Sequence, residues 1–160
     1  MRNKDVLKFL DEAQEYADAY SGCKKVAVGS ILLIPSSYKI YVYGCNSSFP
    51  VSCREVGCRR VALYGEDSKE HRLPSDCRSL HSEVDAITQA AKWGYPTSRA
   101  TLVVTRYPCE ACARAIVNAG IKYVYYGREQ EISPETQKIF KAGKVKIVHV
   151  DNWTYADTRR

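Results

Sequence analysis

A chain of 160 residues with 45% hydrophobic and 26% charged side chains suits one folded domain with its own core, which excludes disordered and fibrous classes. The longest apolar run, VAVGSILLI at 26–34, is too short to span a bilayer and is broken by Gly29 and Ser30, so no membrane partner is expected. A formal net charge of +6 fits an anionic small molecule or a nucleic acid, but no basic run exceeds a few residues, and solubility explains it equally well.

Charges inside the apolar pattern of MRNKDVLKFL argue against a signal peptide and for a cytoplasmic location. Val6, Leu7, Leu10, Ala13, Ala17 and Tyr20 recur at helical spacing and predict a helix over 4–20. The apolar stretch 26–34 and the alternating KIYVYG at 39–44 flank the turn residues PSSY, which predicts a β-hairpin. Residues 46–79 are rich in Ser, Gly, Arg and Cys and have no sustained period; a loop this long is functional or tied down. A helix over 80–93 follows, then a strand over 101–105 and a helix over 108–119 stopped by Gly120. A strand over 122–126 leads to a helix that Ser133 caps, with Pro134 in its first turn, ending near Gly143. The strand 144–150 and a polar tail over 151–160 complete the chain. The order α-β-β-α-β-α-β-α-β predicts an α/β fold: a three-layer α/β/α sandwich with a five-stranded mixed sheet, one domain over 1–160 with a Cys-rich insert at 46–79.

The seven cysteines, Cys23, Cys45, Cys53, Cys58, Cys77, Cys109 and Cys112, are an odd number for a disulfide framework, and metal ligation better explains any that cluster. Within TRYPCEAC (105–112), Cys109 and Cys112 are three apart and face one way at the positive end of a helix, which favours thiolates. His81 starts another helix, and alternating βα units bring such helix starts to one edge of the sheet. One histidine and two cysteines make three zinc ligands and leave a fourth position open, as a catalytic site requires. The competing readings are a structural CxxC completed by another cysteine and a redox pair. His149, on an apolar strand, is read as packing or surface.

Glu83 lies two residues from His81, so on a helix it points elsewhere. Two thiolates neutralise most of the zinc charge, so water at this metal needs a nearby base. Glu83 fits that role, taking a proton from water and returning it to substrate and leaving group.

His81-Ser82-Glu83 followed by Pro108-Cys109-Glu110-Ala111-Cys112 resembles the H-x-E and P-C-x-x-C signature of the zinc deaminases. Residues 20–150 look like the cytidine deaminase superfamily, in its deoxycytidylate (dCMP) deaminase branch, on VAVGSILL, GCNSSFP (44–50) and the insert ending CRSLHSE (77–83). The resemblance implies hydrolysis of dCMP to dUMP and ammonia, supplying dUMP for thymidylate synthesis, with water attacking C4 and Glu83 moving protons. It implies a homo-oligomer, hexamer or dimer, and dCTP and dTTP as effectors, an effector nucleotide bringing Mg2+. It also implies that Asn46 bonds the deoxyribose hydroxyl. Where the family's turn reads GYNG, this chain has Gly44-Cys45-Asn46-Ser47, and the effector site lies near that turn. Ser82 replaces the family's usual alanine and is expected to offer only its backbone N–H. Tyr107 is a candidate to stack on the base, with a core aromatic as the alternative, and Arg106 to contact the phosphate, with an ordinary surface arginine as the alternative. A second, structural zinc, found in phage-type members, would correspond here to Cys23, Cys53 and His71, with Cys58 or Cys77 as a fourth ligand. Alternatives are a deaminase of another cytosine nucleotide or nucleoside, an editor of tRNA or single-stranded nucleic acid, and a non-catalytic zinc-stabilised module. A nucleic-acid editor is disfavoured by the lack of a basic tail, and Glu83 disfavours the inert module.

Overall fold

The structure, a computed structural model, describes residues 1–35, 40–47, 51–65, 77–129 and 133–155. Its sheet has five strands in the order β2-β1-β3-β4-β5, formed by β1 (Gly29–Leu33), β2 (Tyr41–Cys45), β3 (Thr101–Arg106), β4 (Tyr123–Arg128) and β5 (Lys146–His149). The β1–β2 and β1–β3 pairs are antiparallel, and β3–β4 and β4–β5 are parallel, so the expected mixed sheet is present.

Residue alternation along the strands divides the core. Leu32, Leu102, Val104 and Val124 face the layer of α4 (Ser82–Lys92), α5 (Glu110–Asn118) and α6 (Pro134–Ala142), where Ala86, Ala90, Ile116 and Phe140 are buried. Val103 faces the opposite layer and meets Val6 and Leu10 of α1 (Asn3–Tyr20). The helical stripe of α1 therefore covers one side and three helices cover the other, the predicted three layers.

Two departures from the sequence expectation stand out. The insert is not wholly irregular: α2 (Cys53–Val56) and α3 (Arg59–Tyr64) are short helices, the first opened by a capping box between Ser52 and Glu55. The polar tail is anchored as far as it is described. Trp153 is buried, its indole N–H donates to Asp11 Oδ1 at 2.8 Å, and the Arg128 guanidinium lies 5.2 Å from its ring centroid. Gly127 makes room for it, since a Cβ there would collide with that ring.

Gly44 sets how α4 sits on β2. A Cβ at this position would lie 2.3 Å from Ser82 O and 2.5 Å from Ala86 N, both backbone atoms of α4. Gly44→Ala must push the helix off the sheet. It is expected to lower unfolding free energy by about 2–3 kcal/mol, read from the denaturant midpoint, and to disturb the residues at the start of α4.

Candidate active site

His81 and Cys109 are not in their helices but immediately before them, at the N-cap positions of α4 and α5, with extended backbones. This resolves the two-residue spacing of His81 and Glu83: the first leaves the chain from the cap and the second from the first helical turn. Pro108 likewise precedes the cap of α5 and is not part of its first turn. Both caps reach one end of the sheet, where β3 finishes and β1 begins. His81 Nδ1 lies 3.4 Å from Cys109 Sγ and 3.4 Å from Cys112 Sγ. The three ligand atoms fall within 4.8 Å of one another, the one such group of three or more among the described residues.

That triangle fits zinc. With Zn–S of about 2.3 Å and Zn–N of about 2.0 Å, tetrahedral angles separate nitrogen from sulfur by about 3.5 Å. Histidine and cysteine are the donors zinc prefers, and three of them leave one tetrahedral position unfilled.

The electrostatics agree with a ligand set. Hydrogen bonding from Cys112, then His81, lowers the Cys109 thiol to about 4 against the cost of burial. The same Cys109 contact and burial drive Cys112 strongly up, so without metal the pair shares one proton. Cys109 raises the His81 imidazole above its usual range, while burial and the Arg60 guanidinium oppose it. The lowered Cys109 value makes the metal-free thiol a thiolate at all pH values well above 4. Its alkylation by iodoacetamide is expected to stay fast from about pH 6 downward towards 5, where an ordinary cysteine of pKa about 8.5 has slowed more than a hundredfold. The same depression adds stability to the metal-free fold that is present near pH 9 and is lost as pH falls through about 4, while above pH 9 the strongly raised Cys112 thiol opposes it.

Glu83 is buried at 4% exposure, and burial raises its carboxyl above the usual range. Ser82 is fully buried, and its hydroxyl donates to Glu83 Oε2 at 3.1 Å. The expectation that Ser82 offers only a backbone N–H is therefore corrected: its side chain faces the carboxylate. Its carbonyl in turn accepts from Ser30 Oγ at 2.7 Å.

Asn46 is drawn in by a backbone bridge between Ser47 and Leu80, next to His81. Its Oδ1 accepts from Ser21 Oγ and Val28 N, and its Nδ2 donates to Val26 O. One Nδ2 hydrogen is left over from these bonds. Tyr107 is packed in the core, edge-on to Tyr126 at 4.9 Å and to Phe140 at 6.4 Å. Arg106, half-buried, ends β3 opposite Arg128. His149 matches its packing assignment: its ring stacks on Tyr126 at 4.8 Å.

Of the residues considered for a second zinc, Cys23 before β1 and Cys53, Cys58 and Cys77 of the insert are described and form no disulfide, while His71 lies outside the described residues. Ser52 Oγ donates to Gly22 O at 3.4 Å, which holds the segment before Cys23 against the one before Cys53.

The sequence reading missed two groups. Asp85 is buried, and its Oδ2 accepts from Cys45 N at 2.9 Å, tying α4 to the turn that carries Asn46. An acid on the buried face of the first helical turn was the available signal. Arg60 of α3 is close enough to oppose the charging of His81, and its Nε is buried with no hydrogen-bond partner among the described residues.

Residues 3–128 match the family described as cytidine and deoxycytidylate deaminase zinc-binding region. The chain is 32% identical over 133 residues to ComE operon protein 2 of Bacillus subtilis, covering 82% of this chain and 64% of that protein. It is 34% identical over 97 residues to the deoxycytidylate deaminase of Enterobacteria phage T2, covering 59% of this chain and 52% of the relative. It thus spans about half to two thirds of the length of these curated relatives. Among solved structures, the dCMP deaminase of cyanophage S-TIM5, determined with dCMP and dUMP, superposes with a TM-score of 0.68 at 23% identity, over 93% of this chain and 98% of that one. At that identity the likeness speaks for the fold. No helix among the described residues is long and apolar enough to cross a membrane.

Proposed function

The chain belongs to the cytidine and deoxycytidylate deaminase family, and we propose that within it the activity is hydrolytic deamination of dCMP to dUMP and ammonia. The observation that carries this reading is the grouping of His81, Cys109 and Cys112 with a buried carboxylate, Glu83, two residues along. His81 Nδ1 and the Cys109 and Cys112 sulfurs would hold a zinc ion, which would supply Lewis-acid polarisation of a water. Glu83 takes a proton from that water and delivers it to N3 of the ring as oxygen bonds to C4. It then takes the remaining proton from the new C4 hydroxyl and passes it to the exocyclic nitrogen; the C4=O bond forms as the C4–N bond breaks, and ammonia leaves. Ser82 orients the carboxylate through its hydroxyl. Asn46 is fixed by its three other bonds, which leaves the remaining Nδ2 hydrogen for the deoxyribose hydroxyl.

For the monophosphate we favour Arg60 over Arg106. Its guanidinium acts on His81 from α3 of the insert, and a guanidinium can grip phosphate oxygens in pairs. A structural zinc is also proposed between the insert and the segment before β1, on Cys23, Cys53 and His71 with Cys58 or Cys77 as a fourth ligand. Deamination of deoxycytidine, dCMP and dCTP, followed side by side by ultraviolet absorbance, tests the assignment. dCMP is expected to have the highest kcat/KM, and a preference for the nucleoside refutes it. Arg60→Ala is expected to cost dCMP about 10–100-fold in kcat/KM and to leave deoxycytidine nearly unchanged.

A further inference from the structure

The end of the sheet opposite the candidate active site has a character that the sequence order hides. The parallel strands β3, β4 and β5 start there side by side, with Thr101 beside Tyr123 and Tyr123 beside Lys146. The segments leading into them are laced together: Arg99 N donates to Gly120 O, Lys122 N to Ala100 O, and Lys146 N to Lys122 O. Lys122 Nζ reaches Gly143 O across the same edge. Residues 92–101, 119–123 and 141–146 form the part of this end beneath the parallel strands, and they contain no Asp or Glu.

Six exposed cations stand on it: Lys92, Arg99, Lys122, Lys141, Lys144 and Lys146. None of them has an ion-pair partner among the described residues, whereas the helices pair their own acids, as in Arg2–Asp5, Lys8–Glu12, Arg114–Glu110 and Lys138–Glu135. Lys92 and Lys141 occupy the last turns of α4 and α6, where a cation complements the helix dipole. That leaves four cations the dipoles do not call for.

Two of those four sit on strained backbone. Arg99 and Lys144 have φ of 65° and 53°, the only non-glycine residues with positive φ among those described. Glycine or asparagine is the inexpensive choice there, and a long cation occupies each position instead. Exposed aromatics border the row: Trp93 at 65% exposure, with Lys92 Nζ 5.5 Å from its ring, and Tyr123 at 45%. A row of cations without acidic partners among the described residues, bordered by exposed aromatic rings, is the pattern that tracks a phosphate backbone and stacks bases.

The geometry points to a second, non-catalytic surface at this end that binds single-stranded nucleic acid. It lies at the far end of the strands from His81 and Glu83, so it does not depend on the deaminase reading. The sequence alone has no basic run, because the six cations come from three separate segments that only the parallel strands bring together.

Fluorescence anisotropy with a labelled oligothymidylate of about 20 nucleotides tests it. With four to six phosphates engaged, the logarithm of the association constant is expected to fall against that of salt with a slope of about −3 to −4. Combined Lys122→Gln, Lys144→Gln and Lys146→Gln should weaken binding by about tenfold or more while dCMP deamination is unchanged. Trp93→Ala should weaken oligothymidylate binding several-fold and leave heparin binding, which has no bases to stack, as it was. If the triple variant fails to fold, Trp93→Ala at its exposed position carries the test. No binding at low salt, or binding indifferent to the lysine changes, overturns the surface. Heparin bound as tightly, with Trp93→Ala without effect on the oligonucleotide, overturns nucleic acid as the partner in favour of an acidic protein.

Discussion

Glu83→Gln is expected to lower kcat for dCMP by about 10²–10⁴-fold, the usual worth of a positioned acid–base group. Zinc content should not change, because His81, Cys109 and Cys112 are intact. A fall in activity without loss of metal separates proton transfer from metal binding, and full activity in this variant would refute the mechanism. The same substitution is expected to stabilise the metal-free protein. Burial raises the Glu83 carboxyl, so the folded state keeps a proton that the unfolded state releases above about pH 4.5. The stability tied to that proton is present at low pH and is lost as pH rises through the folded-state value. Glutamine carries no such charge, so its gain in melting temperature should be absent near pH 4 and appear towards neutrality. Ser82→Ala is a smaller version of the test: removing one hydrogen bond to a carboxylate should cost kcat about tenfold with zinc retained.

Loss of a ligand has the other large effect. Structural sites bind zinc with about 10–16 kcal/mol spread over four ligands, roughly 3 kcal/mol each, so one deletion should weaken zinc binding a hundredfold or more. His81→Ala and Cys112→Ala should each purify without the catalytic ion and without activity. Metal analysis of the unaltered protein also addresses the insert. Two zinc ions per chain, falling to one in Cys53→Ser, would support the structural site on Cys23, Cys53 and His71; one ion per chain would remove it.

The parts of this protein that could be read directly from sequence are those encoded locally. The apolar stripe of α1, the alternating strands and the proline and serine that open α6 each declare themselves within a few residues. H-x-E and P-C-x-x-C were equally legible, because each ligand type has a fixed chemistry. The geometry between segments was not. Ser82 looked like a spacer until its hydroxyl was found 3.1 Å from Glu83. For Tyr107 the sequence left stacking on a base and core packing open, and its ring goes into the core against Tyr126 and Phe140. Arg60 and Asp85 act across sequence gaps that no periodicity spans. The helix α2 is a different kind of miss, since Ser52 and Glu55 spell a capping box in the sequence itself, inside a stretch too rich in glycine and cysteine to suggest a helix.

The hydrogen bond from Trp153 to Asp11 joins positions 142 apart. During synthesis α1 emerges long before Trp153 and must wait with Val6 and Leu10 uncovered until the segment after β5 arrives to finish their cluster with Val103, Val150 and Trp153. Closing a contact this distant is slow compared with forming a helix or a hairpin. The newborn chain therefore passes through a period in which one face of its sheet is complete and the other is still greasy and open, when chaperones have most to protect.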